Sequence, residues 1–203
     1  MDFRLTYEGE LMVDGGADHK QRVRKVFHKQ LKRFWQIHPI LQGWSTQPAK
    51  RDHDGNIVPD PDKKSLHDRH ANNFTRGKYR CIPIATSEFK TIVSLDILFL
   101  RSGQPGSIMK SGDIDGRLKT LFDALKVPTQ NNEFGTHEPS EGEDPFYCLM
   151  EDDRLVGNVS VTTDTLLEPT PHSAGYYDTN DARIVIAVNL KRYASSGLGG
   201  SFF

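Results

Sequence analysis

One stretch constrains the fold more than any other: Gly112-Asp-Ile-Asp-Gly-Arg-Leu-Lys-Thr-Leu-Phe-Asp-Ala-Leu125. At about 100° per residue, Leu118, Leu121, Phe122 and Leu125 fall on one apolar stripe. Asp115, Lys119 and Asp123 fall on a second stripe beside it. Such a segment is stable only as a helix with one face in a core and a charged edge next to it. Pro128 disfavours helical geometry at Val127, so the helix is expected to run from about Asp115 to Lys126, with Asp113 just before its first turn.

Other elements follow from the same kind of pattern. Phe3, Leu5 and Tyr7 alternate with Arg4, Thr6 and Glu8, as in a half-buried strand. Gly15-Gly16 ends that element, and Asp18 with Gln21 reads as a helix N-cap and its capping-box partner. Val23, Phe27, Leu31, Phe34 and His38 then recur at helical spacing up to Pro39. Strands are expected over 79–84, 91–99, 146–150, 158–167 and 183–190. Residues 46–76 and 129–145 read as polar surface loops, 103–112 as a turn region, and the tail as flexible by composition. With 203 residues, this predicts one α/β domain over 1–193, a mixed sheet flanked by helices, followed by a tail over 194–203.

Charge is unevenly distributed. The net charge is only −1, yet nine Lys or Arg and no acid lie between His19 and Arg51. From Asp113 to Asp181 acids far outnumber bases. Cations on one element and carboxylates on another suit a protein that holds phosphate with the first and a metal with the second. A solvated helix face accounts for the basic run equally well. The candidate DNA-backbone contacts are Lys20, Arg22, Arg24, Lys25, Lys29, Lys32 and Arg33.

Asp113 and Asp115, one residue apart at a helix entrance, can reach a common cation. Glu151-Asp152-Asp153 follows the expected strand 146–150, and a strand end is a rigid mount for a further ligand. Clustered carboxylates repel unless a cation joins them, and hard Mg²⁺ takes oxygen ligands. Each feature also has an ordinary reading: an N-cap at Asp113, an ion-pair ladder through Asp115, Lys119 and Asp123, a turn at Asp152-Asp153. His67 and His70 have H-x-x-H spacing with no cysteine near them, a weak zinc signal. No glycine fingerprint for a nucleotide is present, so no small-molecule cofactor is expected. Cys81 and Cys148 read as reduced thiols, no apolar run is long enough for a membrane helix, and the N-terminus lacks the layout of a secretory signal; a cytoplasmic protein is expected.

Together, Asp113, Asp115, Lys119, Asp123-Ala124-Leu125 and Asp152-Asp153-Arg154-Leu155-Val156 resemble the RusA family of Holliday-junction resolvases. The resemblance is specific over about 113–156 and topological elsewhere. It implies a homodimeric, Mg²⁺-dependent endonuclease, with Mn²⁺ as a substitute metal, that cuts four-way junctions and related branched DNA. It places the catalytic carboxylates on Asp113, Asp115 and Asp153, with Asp152 as a weaker metal ligand and Lys119 as the essential lysine. Two departures stand out. Gly116 occupies the position after the second Asp where the family usually has Asn, and the stretches about 46–76 and 128–145 are extra. Gly116 motivates a rival reading, a DNA-binding module with weakened catalysis. The extra stretches motivate another, a protein-interaction or assembly role on the same fold.

Overall fold

A computed structural model describes residues 1–54, 56–102, 113–173 and 178–193, with Asp113 described for its backbone only. The expected turn region at 103–112 and the tail from 194 lie outside the described residues. The main sheet grows from strands whose apolar residues alternate. β1 (Asp2–Glu10) pairs antiparallel with the strand Asp181–Arg192, which pairs antiparallel with Thr91–Arg101. That central strand pairs parallel on its other side with Val156–Thr165, so the sheet is mixed.

Numbered along the chain, the strands are β1, β2 (Ala49–Arg51), β3 (Ile57–Pro59), β4 (Thr75–Arg76), β5 (Tyr79–Ala85), β6 (Thr91–Arg101), β7 (Phe146–Met150), β8 (Val156–Thr165) and β9 (Asp181–Arg192). The register stacks Tyr7, Ile184 and Phe99 in one row and Leu5, Ile186 and Ile97 in the next. All six are buried, and each such side chain contributes roughly 1.5–3 kcal/mol of transfer free energy. A one-residue slip would turn the whole set to solvent, which fixes the register.

Helix α1 (Ala17–Ile37) covers this sheet with Val23, Phe27, Leu31 and Trp35. A second, three-stranded sheet has the order β4-β5-β7, with β5 and β7 parallel. Every residue of β7 is buried, the pattern of a parallel strand covered on both faces. The result is an α/β domain with mixed sheets flanked by helices. Among the described residues, no helix is long and apolar enough to cross a membrane.

Several expectations need correction. Helix α1 starts at Ala17 with Gly16 as N-cap. Asp18 does not cap it; its Oδ1 accepts hydrogen bonds from the Thr136 amide (2.8 Å) and hydroxyl (2.9 Å), tying the segment after Phe134 to the helix start. Residues 46–76 are not a structureless loop. They form the β2–β3 hairpin, helix α3 (Leu66–Asn73) and β4, after the short α2 (Pro39–Trp44). Ser65 caps α3 by accepting from the Asp68 amide at 3.0 Å, a local signal that was present in the sequence. Within 129–145, Asn131–Phe134 forms a 3-10 turn whose Phe134 stacks on Tyr79 at 4.0 Å. The free thiols of Cys81 and Cys148 are buried in that same small core.

Candidate metal and phosphate site

Helix α4 (Asp113–Leu125) is held from three sides. Of its apolar stripe, Leu121 and Leu125 are buried in the core beside Ala124, while Leu118 and Phe122 are half-buried. Its N-terminal half lies against the segment after β1. There the Gly15 amide donates to Thr120 Oγ1 at 2.9 Å, and the buried Arg117 donates to the Leu11 carbonyl and, at 3.1 Å, to Asn180 Oδ1. An ideal Cβ on Gly116 would lie 2.5 Å from Val13 Cγ1, so glycine permits this approach. An Asn at this position would have to displace Val13.

At its other end, α4 is tied to β7. The Val127 amide donates to the Met150 carbonyl at 2.9 Å, in place of continuing the helix. The last turn of a helix leaves carbonyls without partners, and Arg24 supplies one: its Nη2 donates to the Asp123 carbonyl at 2.7 Å. A buried cation at a helix C-terminus also complements the helix dipole.

This anchoring aligns α4 with the chain leaving β7. Asp115, Leu118, Lys119, Phe122, Asp123 and Asp153 line one open cleft of about 310 Å³. Asp153 begins a 3-10 turn (Asp153–Leu155), and its Oδ2 accepts from Lys126 Nζ at 2.9 Å. The same ammonium is 3.1 Å from Asp123 Oδ1, while Lys20 Nζ is 2.7 Å from Asp123 Oδ2. Burial pushes the Asp123 carboxyl upward, but hydrogen bonds from Lys20 and Lys126 outweigh it and hold it below its ordinary pKa. Burial pulls Lys126 downward, and its bonds to Asp153 and Asp123 more than restore it, leaving its pKa raised. Asp123 therefore pairs with Lys20 and Lys126, and Lys119 with Asp14 at 3.7 Å; the ladder along the stripe is not what forms.

Asp115 and Lys119 are exposed on the cleft rim, and the Asp113 carboxylate lies outside the described residues. Asp152 turns to local work: its Oδ1 accepts from Arg154 N (2.9 Å) and Nε (2.8 Å), bonds that lower its pKa. Among the described residues, no three His, Cys, Asp or Glu side chains gather closely enough to hold a metal. Asp115 and Asp153 still face one cleft with carboxylate oxygens alone, the donor type Mg²⁺ takes, and the Lys126 ammonium already sits where Asp123 and Asp153 attract a cation.

The basic helix divides in two. Arg24 is 1% exposed and its guanidinium is spent on Gln21 and on backbone carbonyls, so it faces protein and not DNA. Lys20 is paired with Asp123, Lys25 with Glu143 at 3.1 Å, and Lys32 donates to the Gly142 carbonyl at 2.7 Å. Arg22, Lys29 and Arg33 are exposed. His67 bonds Tyr147 Oη at 3.0 Å and His70 the Pro83 carbonyl at 2.8 Å; both rings belong to an aromatic cluster with Trp35, Trp44 and Phe89. Lys126 was not singled out by sequence, although it stands at i+3 from Asp123 and so on a neighbouring face.

Neither protein-family models, curated proteins nor solved structures give a match to this chain.

Proposed function

We propose that the protein is a Mg²⁺-dependent, structure-selective endonuclease of the RusA kind, hydrolysing phosphodiesters in four-way junctions or related branched DNA. One observation carries the reading. Asp115 and Lys119 from α4 share a cleft with Asp153 from beyond β7, and these are residues that the sequence resemblance marks as catalytic. Asp115 and Asp153, with Asp113, would hold the metal; Mn²⁺ has the same ligand preference. Bound there, Mg²⁺ supplies Lewis acidity to the phosphate and lowers the pKa of the attacking water.

The remaining work belongs to the chain. The exposed ammonium of Lys119 on the rim attracts a phosphate oxygen and stabilises the charge that builds on it. Arg22, Lys29 and Arg33 are the cations of α1 that remain exposed to meet DNA backbone. A homodimer accompanies this reading through the resemblance, and the two widely spaced cysteines favour a cytoplasmic setting.

A second reading, a module that binds branched DNA without cutting it, is favoured by the hold of Lys126 on Asp153, which takes up one ligand oxygen. Incubation of the protein with a synthetic four-way junction and with linear duplex, under Mg²⁺, Mn²⁺ and chelator, separates the two. The proposal expects metal-dependent cutting of the junction; junction binding without cutting under either metal selects the second reading.

A further inference from the structure

We propose that Lys126 is a tethered counter-ion of the cleft, holding Asp153 when no metal is bound and competing with a divalent cation for that carboxylate. The inference rests on the metal-site reading above and goes beyond it, since neither motif contains Lys126. Its ammonium bridges Asp123 Oδ1 at 3.1 Å and Asp153 Oδ2 at 2.9 Å, with its side chain 16% exposed. Asp123 is neutralised from two sides, because Lys20 holds its other oxygen at 2.7 Å. Both oxygens of Asp123 are thus held by ammonium groups and serve to fix Lys126, while Asp153, 46% exposed, lines the cleft. A positive charge fixed within bonding distance of a ligand opposes a second cation through Coulomb repulsion, and in this half-buried setting the effect exceeds that in bulk water.

The test is Mn²⁺ binding to the full chain, read by electron paramagnetic resonance of the free ion without any DNA. Lys126→Met removes the charge, keeps the length and leaves Asp123 its bond to Lys20. It is expected to bind Mn²⁺ on the order of tenfold more tightly than wild type. Lys126→Arg, which keeps the charge, is expected to bind as wild type does. Lys126→Gln repeats the test if the Met variant does not fold. A merely structural lysine gives unchanged or weaker binding in Lys126→Met, and that result overturns the proposal. Binding that ignores Asp153→Asn, or no binding by any variant, overturns the metal site itself and the counter-ion role with it. Binding by Lys126→Met where wild type shows none supports both.

Discussion

Arg24 Nη2 donates to the Asp123 carbonyl across 2.7 Å, joining the middle of α1 to the last turn of α4. The contact makes Arg24 a brace for the helix that carries the cleft. Arg24→Ala removes a buried partner and leaves a helix-end carbonyl unsatisfied, besides opening a void. The expected cost is about 3 kcal/mol or more in urea unfolding. A loss below about 0.5 kcal/mol, as at ordinary surface sites, would mean that the contact braces nothing.

The exposed cations should behave differently. Arg22→Ala and Lys29→Ala should leave stability within about 0.5 kcal/mol of wild type. Each should also flatten the dependence of junction affinity on salt by about one unit of slope, the signature of one lost phosphate contact. Affinity measured across a salt series checks this. Unchanged slopes in both would remove this face of α1 from the DNA surface.

Gly116 is explained by its neighbour. Replacing a helical glycine by alanine ordinarily stabilises by about 1 kcal/mol, but here the new Cβ meets Val13 Cγ1 at 2.5 Å. Gly116→Ala alone should therefore gain nothing or lose stability. In a Val13→Ala background, where a 40% exposed side chain has been trimmed, the same change should recover the gain of about 1 kcal/mol. Additive effects in this double-mutant cycle would contradict the steric account.

A pH dependence comes from His28. It is 3% exposed and stacks on Phe146, and its Nδ1 accepts from the Tyr147 amide at 2.9 Å. Burial drives its pKa down to about 4. The unfolded chain takes up a proton near its ordinary value of about 6.5 while the folded protein does not. Stability is therefore full above that value and falls as the pH drops from about 6.5 towards 4, by up to about 3 kcal/mol from this residue. His28→Asn keeps an acceptor without the titration and should show a shallower acid loss. Urea unfolding of both proteins at intervals through that window measures it, and parallel profiles would exclude His28 as a source.

The readable parts of the fold are those with local periodicity. Leu5 and Tyr7 alternate with Thr6 and Glu8, and the two stripes of α4 announce both its buried face and its charged edge. Asp115, Lys119 and Asp153 drew notice in the sequence through a resemblance in spacing, and they line one cleft, although nothing local says that β7 and α4 end side by side. What stayed hidden depends on distant partners. Arg24 looks like its neighbours on a basic run until α4 and the Asn131–Phe134 turn close over it. Asp18 resembles a cap, yet Thr136 claims it, and Lys126 gains its meaning only when Asp153 arrives from 27 residues away.

The central claim is that Asp115 and Asp153 serve one hydrolytic site. The most direct measurement is single-turnover cleavage of a four-way junction under saturating Mg²⁺ by wild type, Asp115→Asn and Asp153→Asn, with junction affinity measured alongside in chelator. The account predicts that wild type cuts, that each variant loses at least about a hundredfold in rate, and that both bind the junction as tightly as wild type or more so. Cleavage by either variant at the wild-type rate would contradict it.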